Sequence, residues 1–176
     1  AKLSSLTRTI AEHPDPTEAM GIILTVLNSD HDILREFFNQ IEDPKWINTL
    51  DNNNFFSTPP ARVVLPNNSY RYLTWPASKF LLRVADKDPD QVTRVLKNIK
   101  TDNASVINDI LDIANNVDPE YALRILPTIN NALTSETFWI SSKDTAQLCV
   151  RLLEANHKVE ALQFAKSLYT PSSERK

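Results

Sequence analysis

The chain reads as all-α, with antiparallel helix pairs stacked into a right-handed superhelix and one long irregular loop. Three observations predict this. First, a phrase repeats. Asp88-Pro89-Asp90-Gln91-Val92-Thr93-Arg94-Val95-Leu96 returns 30 residues later as Asp118-Pro119-Glu120-Tyr121-Ala122-Leu123-Arg124-Ile125-Leu126. Self-similarity at a period of roughly 20–50 residues marks stacked repeats. The same offset relates Leu81-Leu82-Arg83-Val84-Ala85 loosely to Leu111-Asp112-Ile113-Ala114-Asn115. Second, apolar residues recur at helical spacing along most of the chain. Third, the 176 residues include one glycine and eleven prolines. That balance argues against tight β-hairpins and glycine-rich phosphate loops, and fits about eight or nine short helices separated by stops. A helix pair of this kind cannot bury its apolar face alone, so each pair needs neighbours.

Taken in order, Leu3, Leu6 and Ile10 predict a short first helix that stops at Pro14 and Pro16. Thr17 is the expected N-cap of a helix running to about residue 28. Met20, Ile22, Ile23, Leu24, Val26 and Leu27 make it apolar nearly all round, so it is expected to be covered. Asp30 is the expected cap of a third helix carrying Ile33, Leu34, Phe37, Phe38 and Ile41. Trp46, Ile47 and Leu50 give a fourth, closing a first unit over about 17–50. Residues 51–73 then break the pattern with Phe55-Phe56, Pro59-Pro60, a β-branched Val63-Val64 and Pro66-Asn67-Asn68. A connection near 20 residues is long for helix pairs, where links run roughly 2–8 residues. Helices resume over about 74–100, with Thr74 as cap, Pro76 in the first turn, and Pro89 opening the partner helix. The next pair covers about 102–133, with Asp102 as cap and Pro119 opening its second helix. Pro127 lies inside that helix and predicts a bend near Leu123, because it removes a donor and crowds the preceding turn. Residues 134–142 form a linker with Phe138 and Trp139. A degenerate third copy spans about 143–169, and the residues after Pro171 read as a polar tail.

Composition narrows the function classes. A net charge of −3 and a pI near 5.6 give no general pull towards nucleic acid or anionic membrane. Cys149 is the only cysteine, which excludes an internal disulfide and fits a reducing, cytoplasmic setting. No apolar run reaches the ~18 residues of a membrane span, and no signal-peptide pattern precedes the first helix. The chain starts on alanine, which fits a piece excised from a longer protein.

Antiparallel pairs with Asp-Pro helix starts and a proline inside one helix resemble HEAT-like and related TPR-type α-superhelical repeats. A narrower resemblance spans about residues 44–126. Trp46, Leu50, Phe55-Phe56, Pro59-Pro60, Trp75-Pro76, Phe80-Leu81, Asp102-Asn103 and Val106 look like a helical segment of large uncharacterised bacterial multidomain proteins. That likeness implies a recognition or assembly part, with chemistry elsewhere in such proteins. The pattern there commonly has glycine before the double aromatic; here Asn54 stands in that place.

Candidate chemical sites are sparse. Asp86-Lys87-Asp88-Pro89-Asp90 alternates carboxylates like a calcium loop, but lacks glycine at the sixth position and carries Lys97 where a bidentate glutamate belongs. A capped turn accounts for it better. His13, His31 and His157 are scattered, so no zinc set is expected, and Cys149 sits on an apolar helix face as an inert thiol. No nucleophile elbow or phosphate loop is present. We therefore expect no catalytic residues, no cofactor and no metal.

Two surfaces remain. Phe55, Phe56, Tyr70, Tyr72 and Trp75 gather around the long loop, and can either anchor a partner or tie the loop down. Lys79, Arg83 and Lys87 on one helix, with Arg94, Lys97 and Lys100 on and after its partner, form a candidate basic strip for phosphate backbones; interleaved aspartates make a solvated charged face the simpler account. Arg94 and Arg124 hold equivalent repeat positions, so each is expected to pair with an acid of a neighbouring repeat. The reading is a non-catalytic protein-interaction or scaffold module that meets another protein, or other domains of a longer parent chain, through its concave helical face and the 51–73 loop. The alternative is nucleic-acid binding through residues 79–100.

Overall fold

Helix start signals set the architecture. The computed structural model describes residues 2–27, 31–133 and 141–169. Over these it contains α1 (Lys2–Ala11), α2 (Pro16–Leu27), α3 (His31–Gln40), α4 (Trp46–Asn52), α5 (Pro76–Val84), α6 (Pro89–Leu96), α7 (Ala104–Asn116), α8 (Pro119–Leu133), α9 (Ser142–Glu154) and α10 (Lys158–Tyr169). The chain is all-α, and the ten described helices exceed the eight or nine expected. A two-stranded antiparallel ribbon, β1 (Val63–Val64) and β2 (Tyr70–Arg71), interrupts them.

The helices contact one another in a regular pattern. Along one row α1 meets α3, α3 meets α5, α5 meets α7 and α7 meets α9. Along the other, α2 meets α4, α4 meets α6, α6 meets α8 and α8 meets α10. The rows are joined within the hairpins α5–α6, α7–α8 and α9–α10. One continuous core runs between the rows: Val92, Ala122 and Ala161 of α6, α8 and α10 are buried in it, as are Val95, Ile125 and Phe164. Near the beginning of the chain an aromatic group closes the core, with Phe37 edge-on to Phe38 at 5.6 Å and to Trp46 at 5.2 Å. The Trp46 indole N–H donates to the Ala11 carbonyl at 3.3 Å, tying α4 to the end of α1.

Several caps differ from the sequence expectation, each by one or two residues. Asp15, not Thr17, caps α2, accepting from the Thr17 N–H at 2.8 Å; Pro16 fills the first helical position, where no donor is needed. At α5 the cap position is Trp75, and no side chain makes a cap bond there. At α7 the cap is Asn103, whose Oδ1 accepts from Ser105 N–H at 2.9 Å, which releases Asp102 for another role. Asp88 caps α6 as expected, accepting from Gln91 N–H at 3.1 Å; the suspected calcium loop is this cap. The helix α8 runs through Pro127 without ending. Beside it Thr128 Oγ donates to the Leu96 and Lys97 carbonyls, both at 3.1 Å. The Asp30 cap, the linker aromatics Phe138 and Trp139, and the tail after Pro171 lie outside the described residues.

Asparagine does the work that glycine usually does at helix ends. Asn54 (φ 63°) and Asn156 (φ 67°) adopt the left-handed conformation just after α4 and α9. Each sits inside a paired hydrogen-bond closure: Phe55 N–H to Leu50 and Asn54 N–H to Asp51, then His157 N–H to Leu152 and Asn156 N–H to Leu153. This is the glycine-type helix stop, with asparagine tolerating the conformation better than other non-glycine residues.

Candidate functional site

The long loop is built to hold still. Asn103, fully buried at the start of α7, donates its amide protons to the Pro60 carbonyl at 2.9 Å and the Leu73 carbonyl at 2.8 Å. One side chain thereby clamps both limbs of the loop and caps a helix. Asp102, beside it, accepts from the Arg62 backbone N–H at 3.1 Å and pairs with the Arg62 guanidinium at 3.2 Å. That guanidinium also lies 4.6 Å from the centre of the Tyr70 ring, a cation–π geometry. At the tip, Asn68 (φ 58°) makes the reverse turn, and its N–H bonds to the Leu65 carbonyl at 2.9 Å.

The five loop aromatics divide into two groups. Phe56 and Trp75 are buried in the core, and Phe55 is half-buried with its ring edge-on to Phe38 at 6.4 Å. These hold the base of the loop to the helices, so Phe56 and Trp75 present no surface to a partner. Tyr72 is half-buried and Tyr70 exposed. In the ribbon Val64 faces Tyr70 as its cross-strand partner, and such a pair projects from one face. Val64 and Tyr70 are exposed, as is Leu73 just beyond. Sequence reasoning missed Val64 and Leu73; a β-branched run between two proline stops was the available signal.

Four of the six basic residues are occupied instead with contacts between helices. Lys79 pairs at 2.5 Å with Asp109, a nearly buried carboxylate on α7 that also accepts from Ser78 Oγ at 2.5 Å. Arg83 donates to the Phe38 and Ile41 carbonyls at the end of α3, and burial lowers its pKa against an opposing pull from Glu42. Lys87 donates to the Glu42 carbonyl at 2.9 Å. Arg94 reaches from α6 to Asp51 and Asn48 on α4, both at 2.8 Å, and Arg124 reaches from α8 to Asp90 on α6 at 2.5 Å. The pairing with an acid expected for these two arginines is present for both. Lys97 and Lys100 are exposed. Lys79 and Arg83 point into contacts on α7 and α3, and Arg94 into one on α4, so the six do not share a face.

Burial raises the Cys149 thiol pKa, keeping it protonated. Asp112 is raised by burial and by the neighbouring Asp144 and Asp109 carboxylates, against Lys79. Among the described residues no group of three or more His, Cys, Asp or Glu side chains is disposed to hold a metal ion, and no helix is long and apolar enough to cross a membrane. An open groove of about 790 Å³ lined by Arg8, Glu12, Glu42, Asp43, Lys45 and Lys87 balances cations against anions, so it favours neither sign of ligand. Comparisons with protein-family models, curated proteins and solved structures give no match, so the likeness to helical repeats rests on the residues themselves.

Proposed function

We propose that this chain is a non-catalytic protein-interaction module, a HEAT-like superhelical stack of helix pairs that carries a clamped recognition loop. The row-to-row contacts of alternate helices support the stacked reading. The observation that carries the function is the Val64–Tyr70 pair: two exposed apolar side chains on a ribbon held by Asn103, Asp102 and Arg62. Exposed apolar groups on a rigid mount bind with little ordering cost, and aromatic anchors of this kind dominate interface energetics. The partner is another protein or another domain of a longer parent chain, met by the ribbon and the helical face beside it. Affinity capture from a lysate after nuclease treatment, run with the native chain and with Val64→Asp, tests this. A protein recovered by the native chain and lost with the variant, at unchanged helical circular dichroism, is the expected result. Equal recovery by both would remove the ribbon from the binding surface.

A further inference from the structure

The ribbon lies in a stretch whose charge is opposite to that of the chain. The sequence carries 22 acids and 19 bases, yet from Asn52 to Ala85 it has no acid, and its bases there are Arg62, Arg71, Lys79 and Arg83. Arg62 pairs with Asp102, Lys79 pairs with Asp109, and Arg83 donates to the end of α3. Arg71 is exposed, and among the described residues its side chain makes no ion pair.

The backbone beside Arg71 is open as well. Leu65 N–H donates to the Ser69 carbonyl at 2.9 Å, and the register sets Val64 opposite Tyr70 and Val63 opposite Arg71. In an antiparallel ladder, hydrogen-bonded pairs alternate with pairs that exchange no bond, so Val64 and Tyr70 form a pair of the second kind. The N–H and C=O of Tyr70 therefore point away from β1, along the outer edge of β2. The outer edge of β1 differs, because Asp102, just before α7, already accepts from the Arg62 N–H at 3.1 Å. Successive strand residues face opposite sides, so Tyr70 stands with Val64 on one face of the ribbon and Arg71 stands on the other. A ligand that touches both runs along the edge between them. It does so extended, with its own side chains falling alternately to the two faces.

We infer that the outer edge of β2 takes an extended acidic segment of the partner protein, in which an Asp or Glu stands next to an apolar residue. The apolar side chain meets Tyr70 and Val64, and the carboxylate pairs with Arg71. This rests on the reading of the ribbon as the recognition surface and adds the chemistry of what the ribbon recognises. Charge complementarity selects the acid. Lys100, also exposed, lies two residues before the Asp102 that holds Arg62, and the ribbon's own span offers no competing carboxylate. For the same reason a second copy of this ribbon is a poor occupant, since it brings another Arg71 to the edge and no acid. A phosphate backbone draws its affinity from a row of cations; here Lys79 and Arg83 turn into helix contacts and break the row.

Selection of random short peptides displayed on phage, against the full chain, tests the inference. The expected peptides carry Asp or Glu next to an aliphatic or aromatic residue and do not bind the Val64→Asp chain. They should bind the Arg71→Glu chain roughly 10-fold more weakly, through lost attraction and added repulsion; helical circular dichroism should not change, because the Arg71 side chain is exposed. Exchanging the acid of a selected peptide for Lys should reverse the preference, so that it binds Arg71→Glu better than the native chain. A merely structural Arg71 cannot produce that reversal. Peptides that need Val64 but are neutral or basic, or that ignore Arg71→Glu, overturn the inference and leave the ribbon as a recognition surface. Peptides that bind Val64→Asp as well as the native chain count against both. A selection that yields no peptide overturns the inference, whatever capture shows for the ribbon. So does a single-stranded oligouridylate that binds more tightly than every selected peptide and is weakened by Arg71→Glu.

Discussion

Replacing Asn103 separates the two tasks its side chain performs. Its Oδ1 caps α7 through the Ser105 N–H at 2.9 Å, while its amide holds the Pro60 and Leu73 carbonyls at 2.9 and 2.8 Å. Losing an N-cap costs about 1 kcal/mol. Losing two hydrogen bonds from a fully buried amide costs about 0.5–1.5 kcal/mol each. Asn103→Ala should therefore destabilise the chain by about 2–4 kcal/mol, a fall in Tm of roughly 4–16 °C for a chain of this size. Asn103→Ser keeps a capping oxygen but is too short to reach the loop, so it should recover about 1 kcal/mol of that loss. Urea denaturation gives the stabilities, compared at unchanged m-value. Limited proteolysis supplies the second readout: both variants should be cleaved between residues 57 and 73 faster than the native chain, and by similar factors. If Asn103→Ser matches the native chain in stability and in resistance to cleavage, the clamp does not hold the loop.

Substitutions at three further positions probe a contact between helices, a helix stop and a half-buried carboxylate. Arg151→Ala removes two charged hydrogen bonds to the end of α7 and should cost about 2–4 kcal/mol by chemical denaturation; Arg151→Lys, lacking the planar fork, should restore only part of it. Asn54→Gly should leave stability equal or higher, whereas Asn54→Ala should lower the thermal midpoint by the equivalent of about 1 kcal/mol, because only the former relieves the left-handed backbone at φ 63°. Asp112 has its pKa raised by burial, then by Asp144 and Asp109. A carboxyl that binds its proton more tightly when folded makes stability fall as pH rises from its ordinary range through the raised value. Asp112→Asn should accordingly be more stable than the native chain at neutral pH, with no advantage below the ordinary carboxylate range. Paired denaturation curves across pH would show a flat difference if the raised pKa has no bearing on folding.

Much of the helical organisation was legible because it depends on local signals. Helical spacing and the Asp-Pro starts located α6 and α8, and the repeated Arg94 and Arg124 foretold the ion pairs to Asp51 and Asp90. The caps of α2 and α7 slipped by one or two residues because nearby polar residues offer the same chemistry, whereas α5 starts from Trp75 with no side-chain cap. Asp102 and Asn103 can each cap a helix, and the choice fell to the residue whose amide also reaches Pro60 and Leu73. Asn54 looked like a departure from a glycine pattern, yet its backbone takes the conformation that glycine favours. The roles of Asp109, Arg83 and Arg151 depend on helices 30 or more residues away, and no local spacing encodes them. The same distance hid which of the loop aromatics reach the surface. Five aromatics near one loop read as one group, whereas burial divides them and leaves Tyr70 beside Val64 at the surface.

The most direct test of the ribbon as a binding surface is amide hydrogen exchange of the native chain, alone and with the protein recovered by nuclease-treated capture. The account predicts added protection on binding over residues 62–73 and the adjoining starts of α5 and α7, with the rest of the stack unchanged. Protection concentrated around Lys97 and Lys100, or anywhere that leaves 62–73 at its free rate, would contradict it.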